Sequence, residues 1–191
     1  TTAPDLDGDG HGEVVIGAQQ LSSATEPMLF VVDADSGVAG SAPELKPSGV
    51  VTLGNAAGDS TTFTAGLVAT APGALNIAGT VAATTGSSTI ALGDSNTNVA
   101  VTATSLVGGA ATGLIDIGDA VLADGATLTV GTGIANAINL DAVTGTGSGA
   151  VSSLTINTTG VVNVAEAVGT DIGVVTVTQS GGITFASTVA A

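Results

Sequence analysis

Five residues near the start of this 191-residue chain have the types and spacing to hold a cation: Asp5, Asp7, Asp9, His11 and Glu13, in the run Asp5-Leu6-Asp7-Gly8-Asp9-Gly10-His11-Gly12-Glu13. Calcium takes roughly six to eight hard oxygens at about 2.3–2.6 Å, and a tightly turning loop with alternating carboxylates supplies them. The interposed glycines permit the turn, and His11 can offer its backbone carbonyl while its ring stays outside as a spacer. Without a cation, four carboxylates so close together repel one another. A bound Ca2+ is therefore the expectation, with Asp5, Asp7, Asp9 and Glu13 as side-chain ligands; the alternative is a solvated acidic turn. No acid/base partner lies near His11 in the sequence, which argues against a catalytic role for it.

The elements that would position this loop are short. Val14-Val15-Ile16-Gly17-Ala18 follows it directly, so the long amphipathic helix of an EF-hand is not expected. Strands are expected over 13–17 and 28–33, the second leading into an Asp35-Ser36-Gly37 turn. The whole stretch 4–40, from PDLDGDGHGEVVIGA to PMLFVVDADSGVAG, resembles an FG-GAP repeat, the calcium-binding blade unit of integrin-type β-propellers. The resemblance implies the same ligand set, with the His11 carbonyl as a main-chain ligand. The family usually closes its loop on Asp, where Glu13 stands here. A propeller needs at least four blades, so one unit implies a strand-loop-strand cap or the last blade of a longer parent.

Composition narrows the remaining chemistry. Sixteen acidic residues face one basic residue, for a formal net charge of −15; there is no Cys and no Trp, and three Phe are the only aromatics. Nucleic-acid binding needs cations to displace counterions and rings to stack on bases, so no nucleic-acid partner is expected. One His, no Cys and no Arg exclude a thiol nucleophile, a Cys zinc site and an Arg-clamped phosphate site. Every apolar run is interrupted well short of the ~20 residues of a membrane span. Thr1-Thr2-Ala3-Pro4 carries no basic leader pattern, so any leader is expected to have been removed or to belong to a longer parent. The single Lys46 precedes Pro47, leaving little for trypsin-like proteases to cut. That composition suits an extracellular or cell-surface setting.

The chain changes character near residue 48, dividing it into a calcium-loop segment (1–47) and a repetitive body (48–191). In the body, triplets such as Leu75-Asn76-Ile77, Ile90-Ala91-Leu92, Ile115-Asp116-Ile117, Leu128-Thr129-Val130 and Ile183-Thr184-Phe185 recur between Gly, Thr, Ser and Asn turns. Period-two alternation of β-branched residues predicts strands with one buried face. The best helical candidate, Val161–Val168, is short. Two series, Leu128/Leu154/Val175 and Ile138/Val162/Ile183, recur every 21–26 residues, predicting a coil with at least two strands per turn. Stacked about 4.8 Å apart, five or so coils would make a rod on the order of 25 Å long. TLTV, SLTI and VVTV then occupy one position in successive coils. The fold expected is all-β, a parallel β-solenoid (β-helix) behind an N-terminal calcium-loop segment; an antiparallel β-sandwich or jelly roll is the alternative. The body resembles the loosely repeated β-helical stretches of filamentous haemagglutinin-type and autotransporter-type bacterial surface proteins. The Gly-Gly-x-Gly-x-Asp pattern of RTX calcium repeats is absent.

Three functional classes follow. Enzymes on β-helices place Asp beside Arg, Lys or His, and no Lys or Arg follows Lys46. Paired carboxylates alone can hydrolyse glycosides, but sugar platforms want aromatic rings, so a carbohydrate-active enzyme is disfavoured. Asp116, Asp119 and Asp124 are expected in turns, bonded to neighbouring amides, or as further calcium ligands. A calcium-dependent adhesin would lack the Trp, Tyr and Arg anchors of tight interfaces, leaving weak glycan or surface contacts. The preferred expectation is a non-enzymatic structural subunit of a bacterial surface fibre or sheath. Its C-terminus ends on a strand pattern with no blocking Pro or charge, suited to head-to-tail docking of further copies.

Overall fold

The computed structural model describes residues 14–17, 29–32, 49–70 and 72–191, the first two spans as backbone only. β1 (Val14–Gly17) and β2 (Leu29–Val32) pair antiparallel, with Val14 opposite Val32 and Gly17 opposite Leu29. They fall within the two strands expected beside the acidic loop.

From Val50 the chain winds in six coils. The first contains β3 (Val50–Leu53), β4 (Ser60–Phe63) and β5 (Leu67–Ala69). In the second, β6 (Ala74–Ala83) bends across two faces and β7 (Ile90–Leu92) forms the third; β8 (Val99–Gly109) and β9 (Ile115–Ile117) repeat that plan. The fourth coil has β10 (Ala120–Leu122), β11 (Thr127–Val130) and β12 (Ile138–Leu140). The fifth has β13 (Val143–Gly145), β14 (Ser152–Asn157) and β15 (Val161–Val164), and the sixth β16 (Val168–Gly169), β17 (Ile172–Gln179) and β18 (Gly182–Phe185). Val189 then bridges Val168 in parallel and opens a further turn.

Every strand pair in this body is parallel, which makes the fold a parallel β-solenoid and excludes the antiparallel sandwich. Each coil has three faces rather than the two the sequence series traced. The first carries β3, the leading halves of β6 and β8, β10, β13 and β16; the second β4, the trailing halves of β6 and β8, β11, β14 and β17; the third β5, β7, β9, β12, β15 and β18. Leu128, Leu154 and Val175 are register partners on the second face, so TLTV, SLTI and VVTV do stack. Ile138, Val162 and Ile183 stack on the third. Val161–Val164, within the helical candidate, is a strand, its Val162 and Val164 turned into the core and its Asn163 outward.

Parallel stacking with alternation explains the core. Inward Val, Ile and Leu of all three faces meet on the axis in one continuous cluster, among them Leu75, Ile77, Leu92, Leu122, Leu128 and Leu154. Burying each such side chain stabilises by about 1.5–3 kcal/mol relative to leaving it exposed. Corners carry the irregularity. Gly79 (φ 70°) bends β6 between faces, and a methyl there would sit 2.3 Å from the Asp59 carbonyl oxygen. Only glycine combines that left-handed backbone with so close an approach.

Candidate functional site

Asp5, Asp7, Asp9, His11 and Glu13, the candidate calcium ligands, lie outside the described residues, as does the Asp35-Ser36-Gly37 turn. What the fold places are the eight acidic residues of the body, three of which, Asp59, Asp94 and Asp119, accept from backbone amides. Asp59 Oδ2 accepts from the amides of Asn55 (2.8 Å) and Ala56 (3.0 Å). Asp94 Oδ1 accepts from Asn96 (2.7 Å) and Thr97 (2.8 Å). These are turn-forming carboxylates of the kind that Asp supplies when it closes a loop on itself.

Others reach across coils. Asp119 Oδ1 accepts from the Ala142 amide at 3.2 Å, and the Thr146 hydroxyl donates to Asp124 Oδ1 at 2.5 Å. Asp116 departs from the expected turn: it is the outward centre of β9, in register with Ala91 below and Asn139 above. A strand residue flanked by inward Ile115 and Ile117 must point out, so the alternation that made the triplet visible also dictates its exposure. With Asn163 and Thr184 it forms an outer polar column on the third face.

The corner between the third and first faces brings Asp119 and Asp141 onto adjacent coils beside Asp116. Burial raises the pKa of Asp141 above its ordinary value, and the negative charges of Asp119 and then Asp116 raise it further. Crowded carboxylates of this kind favour the protonated form. Even so, among the described residues no group of three or more His, Asp or Glu side chains is placed to hold a metal ion.

Polar groups inside the coil hold turns together. Asn136, 2% exposed, donates from Nδ2 to the carbonyls of Ala111 and Gly113, both at 2.8 Å, while its Oδ1 is buried without a partner. On the next coil the buried Thr158 hydroxyl bonds the Ile134 carbonyl (2.8 Å), and the Asn136 carbonyl is also in reach (2.5 Å). No sequence reading singled these two out, because an Asn or Thr in a turn-rich chain looks like any other loop residue. Asp171 sits in the left-handed region (φ 66°) at the two-residue corner before β17, and its Oδ2 is buried and unpartnered.

The two ends of the rod differ. In the first coil Val51, Leu53, Leu67 and Ala69 are 1%, 3%, 0% and 0% exposed, while Phe63 is only partly buried. In the last turn Val177 is 39% and Val189 42% exposed, although both register with fully buried partners, Ile156 and Val168. Val175, Ile183 and Phe185 are partly buried against the same core. No Asp, Glu, Lys or Arg follows Asp171, so this apolar end is also free of side-chain charge. No helix among the described residues is long and apolar enough to cross a membrane.

Comparison with known proteins finds no matching family model, no matching curated protein and no matching solved structure.

Proposed function

We propose that the protein is a non-enzymatic structural subunit of an extracellular or cell-surface assembly that associates with itself through its C-terminal coil. The observation that carries this reading is the apolar surface of the last described coil, where Val177 and Val189 are exposed and Ile183 and Phe185 only partly buried. Exposed strand edges template further strands by main-chain hydrogen bonding, and exposed aliphatic side chains add a hydrophobic gain when covered. The cation-poor composition supports the extracellular setting. The Asp5–Glu13 loop supports calcium as a stabilising ion, held by Asp5, Asp7, Asp9 and Glu13 with the His11 carbonyl. Copies joined in this way run head to tail, as the sequence suggests, only if the first coil also offers an open surface.

Light scattering of the purified chain in millimolar calcium tests the reading: the mass rises above the 17.8 kDa monomer as concentration increases. A monomer at every concentration overturns it. Chelation with EGTA lowers the melting temperature, since a ligand bound only by the native state stabilises by mass action; an unchanged melting curve removes calcium from the account.

A further inference from the structure

We infer that the second face of the coil is an ice-binding surface, whose outward threonine and serine hydroxyls form a lattice that takes the ordered water of an ice crystal as its ligand. The inference is independent of the self-association proposed above. Three observations carry it.

The first is geometry. Val81, Val107, Leu128, Val130, Leu154 and Ile156 are buried, so strand alternation turns the residues between them outward. Register partners then line up across all six coils: Ser60, Thr80, Leu106, Thr129, Thr155 and Thr176. The register shifts of this face fall outside that row. Two residues earlier in the chain a second row runs Thr104, Thr127, Ser153 and Val174, with the Thr104 hydroxyl accepting from the Thr127 amide at 3.3 Å. The rows lie about 6.6 Å apart along the strands, and the rungs about 4.8 Å apart across them. Water oxygens on a prism face of ice repeat at similar intervals in two perpendicular directions. Leu106 and Val174 interrupt the rows with aliphatic groups, which add apolar contact but no hydroxyl.

The second is which hydroxyls are already engaged. At the corners they bond neighbouring coils: Thr102 to the Ile77 carbonyl (3.2 Å), Thr112 to that of Gly86 (3.4 Å) and Thr132 to that of Gly109 (2.7 Å). In the two rows, the only such bonds among the described residues are that of Thr104 and a 3.5 Å contact between Ser60 and Thr62. Threonine is stiff at χ1, so each hydroxyl and methyl is held in place before a ligand arrives. Preorganisation of this kind lowers the ordering cost of binding.

The third is charge. The chain carries a formal net charge of −15, yet no strand of this face contains an ionisable side chain. The nearest carboxylates, Asp59, Asp124 and Asp171, stand at the corner with the first face. Asp59 accepts from two amides, Asp124 accepts from the Thr146 hydroxyl, and Asp171 Oδ2 is buried. A neutral lattice suits such a face, because no ion has to shed its water to lie against it. A charged polymer finds nothing there to pair with, and no outward ring offers a sugar platform.

Nanolitre osmometry of the purified full chain in millimolar calcium reads thermal hysteresis, the gap between melting and freezing of a seed crystal. The chain is expected to open such a gap and to facet the crystal. Thr129→Lys and Thr155→Lys, which set a long cation in the middle of the lattice, are expected to lose the gap. Asn163→Lys, a like change in the outer column of the third face, is expected to keep it. Circular dichroism reports whether each variant retains its strands. Thr155→Val, which exchanges only a hydroxyl for a methyl, is expected to fold and to narrow the gap. A gap lost by both lysine variants on the second face and kept by Asn163→Lys supports the inference. No gap in the unaltered chain overturns it, as does a gap that survives Thr129→Lys and Thr155→Lys, is not narrowed by Thr155→Val, or is lost equally in Asn163→Lys. Light scattering reads self-association separately, so a mass that rises with concentration leaves the proposed function standing in each of those cases.

Discussion

Val51 and Val177 both point at the axis of the same rod, one in the first coil and one in the last, and water reaches them very differently: 1% exposed against 39%. The local sequence does not set that difference, since both lie in short alternating strands of β-branched residues. What differs is how much of each side chain the rest of the molecule covers. In a solenoid each coil touches only its neighbours, so stability is close to a sum of coil and interface terms. The comparison teaches that burial here belongs to stacking rather than to the strand.

Substitutions break or sharpen that contrast. Leu67→Ala, in the shielded first coil, should cost about 3 kcal/mol, in the range for truncating a buried leucine, while Val177→Ala in the last coil should cost under about 1 kcal/mol. Urea denaturation of both variants measures the gap, and equal losses would erase the distinction between the ends. Glycines give a second, smaller contrast. Both Gly131 (φ 87°) and Gly182 (φ 148°) have left-handed backbones, but a methyl on Gly131 would sit 2.3 Å from the Asn157 carbonyl oxygen of the next coil, whereas one on Gly182 meets nothing within 4 Å. Gly131→Ala should therefore cost about 2–3 kcal/mol and Gly182→Ala about 1 kcal/mol, the backbone contribution alone.

The smallest effect belongs to Asp141. Its pKa is raised in the folded chain, first by burial and then by Asp119 and Asp116. A raised carboxyl contributes stability below its unfolded value, near 3.8, and that contribution is lost as pH climbs through the folded value. At neutral pH the ionised carboxylate is therefore a mild liability. Asp141→Asn should raise the melting temperature by about 1 °C at pH 7, the scale of a surface change in a protein this size, and the gain should vanish on acidification. A fall in melting temperature at pH 7 would show that the carboxylate is wanted.

Most of the fold was legible in the sequence because alternation and repeat length are both one-dimensional signals. Leu128, Leu154 and Val175 announced one face; Ile138, Val162 and Ile183 announced another. The first face escaped because its strands shrink along the rod, from Val50–Leu53 to the two residues Val168–Gly169, too few to show a period. Asp116 was expected in a turn because Asp ordinarily favours turns over strands, although the alternation of the Ile115-Asp116-Ile117 triplet already turns it toward water. Asn136 and Thr158 were invisible for the opposite reason: their role depends on which carbonyls of adjacent coils lie within reach, and spacing along one chain does not encode it.

One feature of the corners reaches beyond this molecule's own assembly. The turn from first to second face takes two residues before β17, Thr170 and Asp171, yet six before β14, Thr146 to Val151, all exposed. Lengthening a loop adds little to its closure entropy, and the rise per revolution is fixed by strand pairing rather than by how much polypeptide a revolution consumes. Axial length and contour length are thus decoupled. Passenger peptides spliced into the bend around Gly147 would decorate the shaft at a set height, as pegs on a ruler, without shifting a single graduation.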